Sequence, residues 1–297
     1  MRIVYFGLPV AALLLHGDGV DIDLAVISRA DAAGRRRLAK CMGQSRVFTR
    51  GDLSQEALHA RVRTSAPDLL VSWFWTTKLP LSLVREARLG GIGVHPSLLP
   101  RHRGPDPYYA AIDEGDATTG VTVHRIAEGY DTGAILGSRK LAIEPGWTAW
   151  QLARRLDRPS LALLRETVAL MATGAPIAEQ QQDESKASWA PLPSLSDCAL
   201  RWSWPTDKIL RRIRALSPAP GAFTEIHGRV LTILQAERAS RFPRALAPGE
   251  AAVVGPSAVV RSADGAIELV RGEMGGEMLD VEGLASVVAR GQEMMIG

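Results

Sequence analysis

The chain has 297 residues, 46% of them hydrophobic, which suits two domains with real cores and excludes a disordered chain. Its 35 Lys and Arg against 32 Asp and Glu leave a formal charge of +3, and from Arg201 onward the balance is 12 basic to 11 acidic, so no strongly basic nucleic-acid module is implied. Cys41 and Cys198 are far apart and in no ligand-like spacing, which argues against a zinc site or a disulfide framework and fits a reducing, cytoplasmic setting.

In chain order, residues 2–6 (RIVYF) read as a buried strand. The apolar start resembles a signal peptide, but Gly7-Leu8-Pro9 breaks the run and no small-residue cleavage site follows cleanly. That tripeptide also lacks the GxGxxG spacing of a dinucleotide site. No apolar run reaches the about 20 residues of a membrane span, so no membrane partner is expected. The Arg35–Arg37 run reads as a solvated helix face. Residues 23–27 (DLAVI) and 68–72 (DLLVS) read as further strands, with a helix over 53–63. Short apolar strands separated by helices predict a parallel sheet covered on both faces. Residues 120–125 (GVTVHR) alternate and read as a strand, with His124 structural. Residues 148–173 form one amphipathic helix that Pro159 can kink or split. The polar, Pro-containing stretch 175–193 reads as a linker. A helix over 204–216 follows, then strands at 229–234, 251–254, 258–261 and 266–270, whose spacing suggests a small β barrel or sandwich.

Chemistry concentrates between Gly90 and Gly133. His95 ends a short apolar strand and precedes a loop stiffened by Pro96, Pro100, Pro105 and Pro107. Ligands of open α/β sheets bind beyond the carboxyl ends of strands, so the position suits catalysis. Asp131 lies in a Gly-Tyr-Asp-Thr-Gly turn, where a carboxylate can reach an imidazole and fix its tautomer or charge. A structural loop histidine and an ordinary turn aspartate are the alternative. Tyr108 and Tyr109 read as packing residues, with a place facing the acceptor as the alternative. Arg101, His102 and Arg103 read either as solvated surface or as cations for an acidic ligand.

Several pieces in order resemble the folate-dependent formyltransferase family, which includes methionyl-tRNA, glycinamide ribonucleotide and sugar-amine formyltransferases. They are His95-Pro96-Ser97-Leu98-Leu99-Pro100, Arg103-Gly104, Thr119-Gly120-Val121-Thr122 and Asp131-Thr132-Gly133. Gln182-Asp183-Glu184-Ser185 with Trp189-Ala190-Pro191 resembles the linker of the methionyl-tRNA enzymes, and residues 214–223 (RALSPAPGAF) resemble the start of their C-terminal barrel. The resemblance implies a Rossmann-like α/β catalytic domain over residues 1–175, a linker over 176–200 and a smaller OB-like β-barrel over 201–297. It implies transfer of a formyl group from 10-formyltetrahydrofolate to an amine, with no metal. It implies His95 at the formyl carbonyl with Asp131 as its partner. It places the folate near Trp73, Phe74 and Trp75 (core packing being the alternative for these aromatics), near Ser97 and Leu98, and near Ile126, Glu128 and Tyr130.

The chain departs from the family at one catalytic position. The pattern Ile-Asn-x-His is here Ile92-Gly93-Val94-His95, so Gly93 stands where the family has an oxyanion-donating Asn. Loss of one such donor typically costs about 100- to 1000-fold in rate. Three readings are open. A backbone N–H, a water or a protonated His95 replaces the donor; or the acceptor is unusually nucleophilic, a hydroxylamine for example; or the chain is a folate-binding or hydrolytic relative without formyl transfer. Residues 28–44 are too short for the long basic insertion of the methionyl-tRNA enzymes, and the C-terminal part is nearly neutral. These features favour a small-molecule or carrier-bound amine as acceptor over tRNA. The sequence does not address oligomeric state.

Overall fold

A computed structural model describes residues 1–293 of the chain. They form two compact units, one from residues 1–107, 118–142 and 155–190, the other from residues 108–117, 143–154 and 191 onward.

The first unit is built on β1 (Arg2–Gly7), whose Ile3, Val4, Tyr5 and Phe6 are fully buried. A strand buried on both faces belongs at the centre of a covered sheet. α1 (Pro9–Gly17) begins on a proline, where the missing N–H costs nothing. β2 (Asp21–Ile27) pairs parallel to β1. α2 (Arg35–Met42) buries Leu38 and Met42 and leaves Arg36, Arg37 and Lys40 exposed. β3 (Val47–Thr49) lies beside β2. α3 (Gln55–Ser65) starts where the Ser54 hydroxyl accepts the Ala57 N–H, two residues later than the apolar spacing suggests. β4 (Leu69–Trp73), the single turn α4 (Leu81–Val84) and β5 (Gly91–His95) follow. After α5 (Pro107–Glu114), which belongs to the second unit from residue 108, the chain returns in β6 (Thr118–Arg125) and β7 (Ile135–Ala142). α6 (Ala149–Ala172) runs unbroken through Pro159.

The sheet order is β3-β2-β1-β4-β5-β6-β7. The first five strands are parallel, but β6 pairs antiparallel with β5 and β7 antiparallel with β6, so the expected parallel sheet is a mixed one. One face is packed by Val4, Phe6, Leu24, Val26 and Leu70 against Val62, Leu79 and Leu83. β7 escaped the sequence reading because it is an edge strand with no buried residue. The polar stretch after α6 is held to this unit as far as Ala190: Gln180 pairs with Ile135, and Trp189 with Arg103.

The second unit contains α7 (Leu195–Cys198) and α8 (Thr206–Leu216), whose buried Ile209, Leu210, Ile213 and Leu216 recur at helical spacing. Six antiparallel strands follow: β8 (Ala222–Ile226), β9 (Arg229–Arg238), β10 (Ala251–Val254), β11 (Ser257–Arg261), β12 (Ala266–Met274) and β13 (Glu277–Leu279). Their order is β10-β11-β12-β9-β8, with β13 on β12. α9 (Val281–Glu293), absent from the sequence reading, packs on β10, β11 and β12. None of the described helices is long and apolar enough to cross a membrane.

Candidate active site

Strand geometry assembles the site. Gly93 and His95, two apart on β5, point to one face. Antiparallel pairing sets His124 of β6 opposite Gly93 and Thr122 opposite His95, so four residues share that face. The loop after β6 then brings Asp131 back over it. Asp131 Oδ2 lies 3.4 Å from His95 Nδ1, and Oδ1 lies 3.5 Å from His124 Nε2. Both histidines are only 6% exposed. The structure thus brings His95, Asp131 and Gly93 together and adds His124, which the sequence reading had set aside as structural.

Each ring is anchored on its far side. His95 Nε2 lies 2.7 Å from the His102 carbonyl oxygen, and His124 Nδ1 lies 2.8 Å from that of Arg125. A carbonyl can only accept, so these two nitrogens carry hydrogen and both tautomers are fixed. The nitrogen that each ring turns to Asp131 is therefore the one that gains or loses a proton. Burial pushes the His95 imidazole below its ordinary range, against the pull of the Asp131 carboxylate. Burial likewise lowers His124; Asp131 opposes this, while His95 and Arg103 add to it. With both rings neutral, two lone pairs face a carboxylate, which fits separations longer than an ordinary hydrogen bond.

Asp131 is held by its turn. Its φ is +57°, a left-handed conformation that Asp tolerates better than most residues. The Gly104 N–H donates to Asp131 Oδ2 at 2.9 Å. The Gln182 amide donates to the carbonyls of Asp131 and Gly133, both at 2.7 Å. Gln182 Oε1 in turn accepts from Arg103 at 2.7 and 3.0 Å, and Arg103 grips Glu184 with two further bonds of 2.7 and 2.9 Å. A Cβ on Gly133 would collide with the Arg125 carbonyl, so only glycine lets the turn lie this close to β6. Arg103 is thus neither solvated surface nor a ligand-facing cation: it is 6% exposed, with its donors taken by Gln182 and Glu184. The Gln-x-Glu spacing at 182–184 is the sequence signal that could have revealed this.

The residues placed near the folate divide. Trp73 is core, 3% exposed, and its indole N–H donates to Ser160 Oγ at 3.0 Å; it is unavailable for stacking on a ligand because strand β4 extends one residue further than read. Ser97 is fully buried and shapes the loop, its hydroxyl donating to the Arg101 carbonyl and its own carbonyl accepting from Thr122. Phe74, Trp75, Leu98 and Ile126 are half-buried. Trp75 and Ile126 pack on the first unit's core, and Trp75 meets Phe6 edge-on. Glu128 is exposed and paired with Lys78 at 3.0 Å, tying the loop after β4 to the loop after β6. Tyr130 is half exposed, with its ring 6.4 Å from that of Trp189.

Comparison with known proteins places this geometry. Residues 10–168 match the family model described as formyl transferase, and residues 194–287 match its C-terminal domain. The methionyl-tRNA formyltransferase of Anaeromyxobacter dehalogenans (strain 2CP-C) is 35% identical over 86% of this chain and 85% of its own. That of Arthrobacter sp. (strain FB24) is 31% identical over 100% of this chain and 99% of its own. Among solved structures, HypX from Aquifex aeolicus in complex with tetrahydrofolic acid shares the fold, with a TM-score of 0.65 at 18% identity; it covers all of this chain, which spans 47% of HypX.

These relatives overturn the argument against tRNA. Net charge averages over all faces of a domain, whereas phosphates are met by local clusters, so a near-neutral domain can still face a tRNA. The segment after β2, though short, folds into a helix with three exposed cations, Arg36, Arg37 and Lys40. With both family models matched, and with 31–35% identity along most of two enzymes, the chain belongs to the folate-dependent formyltransferase family, enzymes that transfer formyl groups.

Proposed function

We propose that this protein transfers the formyl group of 10-formyltetrahydrofolate to the amino group of methionyl-tRNA. The observation that carries this reading is likeness to methionyl-tRNA formyltransferases through both units, 31% identity over 100% of this chain in the Arthrobacter case. The exposed cations of α2 are consistent with a phosphate-bearing acceptor. The half-buried Phe74, Trp75, Leu98 and Ile126 offer apolar edges that suit a flat heterocycle.

The folate is a substrate here, supplying an electrophilic formyl carbon. His95 is the base: buried and driven towards its neutral form, it has a bare Nδ1 beside Asp131. The lone pair of the amine nitrogen forms the new C–N bond, and the carbonyl π pair moves onto oxygen. An amine proton passes to His95 Nδ1, where the Asp131 carboxylate receives the new N–H. On collapse the bond to the folate nitrogen breaks towards that nitrogen, which takes the proton back from His95.

Incubating the protein with methionyl-tRNA and 10-formyltetrahydrofolate tests the reading. Formylmethionyl-tRNA is expected, with a loss of about 100-fold or more in His95→Ala. Formate release at a rate indifferent to methionyl-tRNA would sink it in favour of a hydrolytic relative.

A further inference from the structure

The site contains more proton-accepting capacity than one base requires. On the face carrying Gly93, Thr122, His95 and His124, the Thr122 hydroxyl is committed, donating to the Ser97 carbonyl at 2.7 Å and accepting from the Leu99 N–H at 3.2 Å. Gly93 offers no side chain. His95 and His124 each keep one nitrogen uncommitted to a carbonyl, and those two nitrogens bracket the two oxygens of one carboxylate.

Gly93 leaves the second ring uncrowded. A Cβ built at position 93 would lie 3.2 Å from His124 Nε2 and 3.3 Å from Cε1, closer than side chains ordinarily pack. A side chain at 93 would press the His124 imidazole out of this seat by a few tenths of an ångström.

We propose that His124, seated over Gly93, is the second base of the site: His95, Asp131 and His124 form a unit that accepts two protons, one on each side of a single carboxylate. This rests on the proposed amine acceptor and explains why two bases serve it. A primary amine reaches the enzyme at neutral pH largely as an ammonium ion, with three protons on nitrogen. The amide product keeps one. His124 Nε2 takes the first proton, which frees the lone pair for attack. His95 Nδ1 takes the second after the C–N bond has formed and delivers it to the departing folate nitrogen. The proton on His124 leaves to solvent, closing the cycle with no other reactant. Asp131 faces both rings and stabilises each new N–H, Arg103 is the nearby fixed cation, and His95 is the other titratable group facing His124.

The test is the pH dependence of His124→Gln with methionyl-tRNA as acceptor. Around pH 6.5, where the acceptor is an ammonium ion, the variant is expected to lose about 100-fold in kcat/KM. By about pH 9, above the ordinary α-amino range, the deficit is expected to shrink to within about tenfold. A merely structural role would give a deficit that does not change with pH, and that result, or a loss under about threefold at pH 6.5, overturns the inference. Gly93→Ala is the second variant; its methyl group crowds the ring, so it too is expected to show a deficit relieved at high pH. Nitrogen NMR of the wild-type imidazoles supplies a readout independent of the acceptor. At pH 7.5 both rings are expected neutral, with hydrogen on His124 Nδ1 and His95 Nε2, and a doubly protonated His124 would overturn the assignment. A wild-type enzyme inactive on methionyl-tRNA defeats the proposed acceptor; an active one whose variants show no pH relief defeats the second base alone.

Discussion

Two aspartates, one in each unit, are surrounded by nitrogen bases to opposite effect. In the second unit Asp113 meets Arg212 at 2.7 and 3.0 Å and Lys208 at 2.6 Å. Burial pushes its carboxyl up, but the hydrogen bonds from Arg212 and then Lys208 outweigh that and hold it below the usual carboxylate range. In the first unit Asp131 meets two imidazoles at 3.4 and 3.5 Å. Guanidinium and ammonium groups are charged at every working pH, so the Asp113 cluster has a fixed proton count and serves as a structural clasp. Imidazoles can be charged or neutral, so the Asp131 cluster can change its proton count during a reaction. The same carboxylate is structural or chemical according to whether its partners titrate.

The largest expected effect separates these roles in activity. Asp131→Asn is expected to lower kcat by about 100- to 10,000-fold, because neither imidazole then has a carboxylate to receive its new N–H. The melting temperature should stay within a few degrees, since an Asn oxygen can still accept the Gly104 N–H. A variant that keeps more than a tenth of wild-type turnover would place the chemistry elsewhere.

Asp113→Asn is expected to do the reverse. It leaves the Arg212 guanidinium, half-sheathed by the rings of Trp204 and Tyr109, without its counter-charge. Breaking one side of a buried pair costs about 3–5 kcal/mol, to be read from urea unfolding. Turnover per folded molecule, measured at low temperature, should remain within about threefold of wild type, and a specific loss of turnover would break the contrast between the clusters.

How legible these clusters were in the sequence follows from their separations along the chain. Runs such as RIVYF and DLLVS announce buried strands because both faces are apolar, and the 204–216 reading came within two residues of α8 (Thr206–Leu216). His95 and Asp131 were legible through the motif resemblance. His124 was not, because its place beside Asp131 depends on β6 running antiparallel to β5 in a register that pairs it with Gly93, and alternation within 120–125 fixes a strand but neither its direction nor its partner. Gln182 was hidden for a related reason. Polar composition marks loops, and apart from the Gln-x-Glu spacing at 182–184 nothing local distinguishes an amide facing water from one that holds a turn 51 residues earlier in the chain. The Asp113 clasp joins residues 95 and 99 positions apart and carries no motif.

Gln182→Ala sharpens the comparison from the supporting layer. It removes the donor to two carbonyls of the Asp131 turn and frees two Arg103 hydrogen bonds. Stability is expected to fall by about 1–3 kcal/mol. Turnover should fall by about tenfold with a smaller change in KM, since the turn that aims Asp131 is loosened while its carboxylate is retained. Unchanged kcat would mean that Gly104 alone fixes the carboxylate.

The smallest effect separates the clusters by pH. His95 and His124 have folded-state pKa values pushed below the ordinary 6.5, so as pH falls from 6.5 the unfolded chain takes up protons that the folded chain does not. Stability is therefore lost in the mildly acid range on account of the histidines, at no more than about 1.4 kcal/mol per pH unit for each. Asp113 acts in the same direction but in a lower window: its carboxyl lies below 3.8, so its contribution is present above that pH and is lost only in stronger acid. Urea unfolding at pH 7.5, 6.5 and 5.5 should show a steeper loss in wild type than in His124→Gln, because the variant retains one buried imidazole where wild type has two. Asp113→Asn should keep the wild-type slope across that range, since Asp113 does not titrate there in either state. Equal slopes in wild type and His124→Gln would mean that His124 gains its proton as readily in the fold as outside it, and the burial of its ring would then carry no protonic consequence.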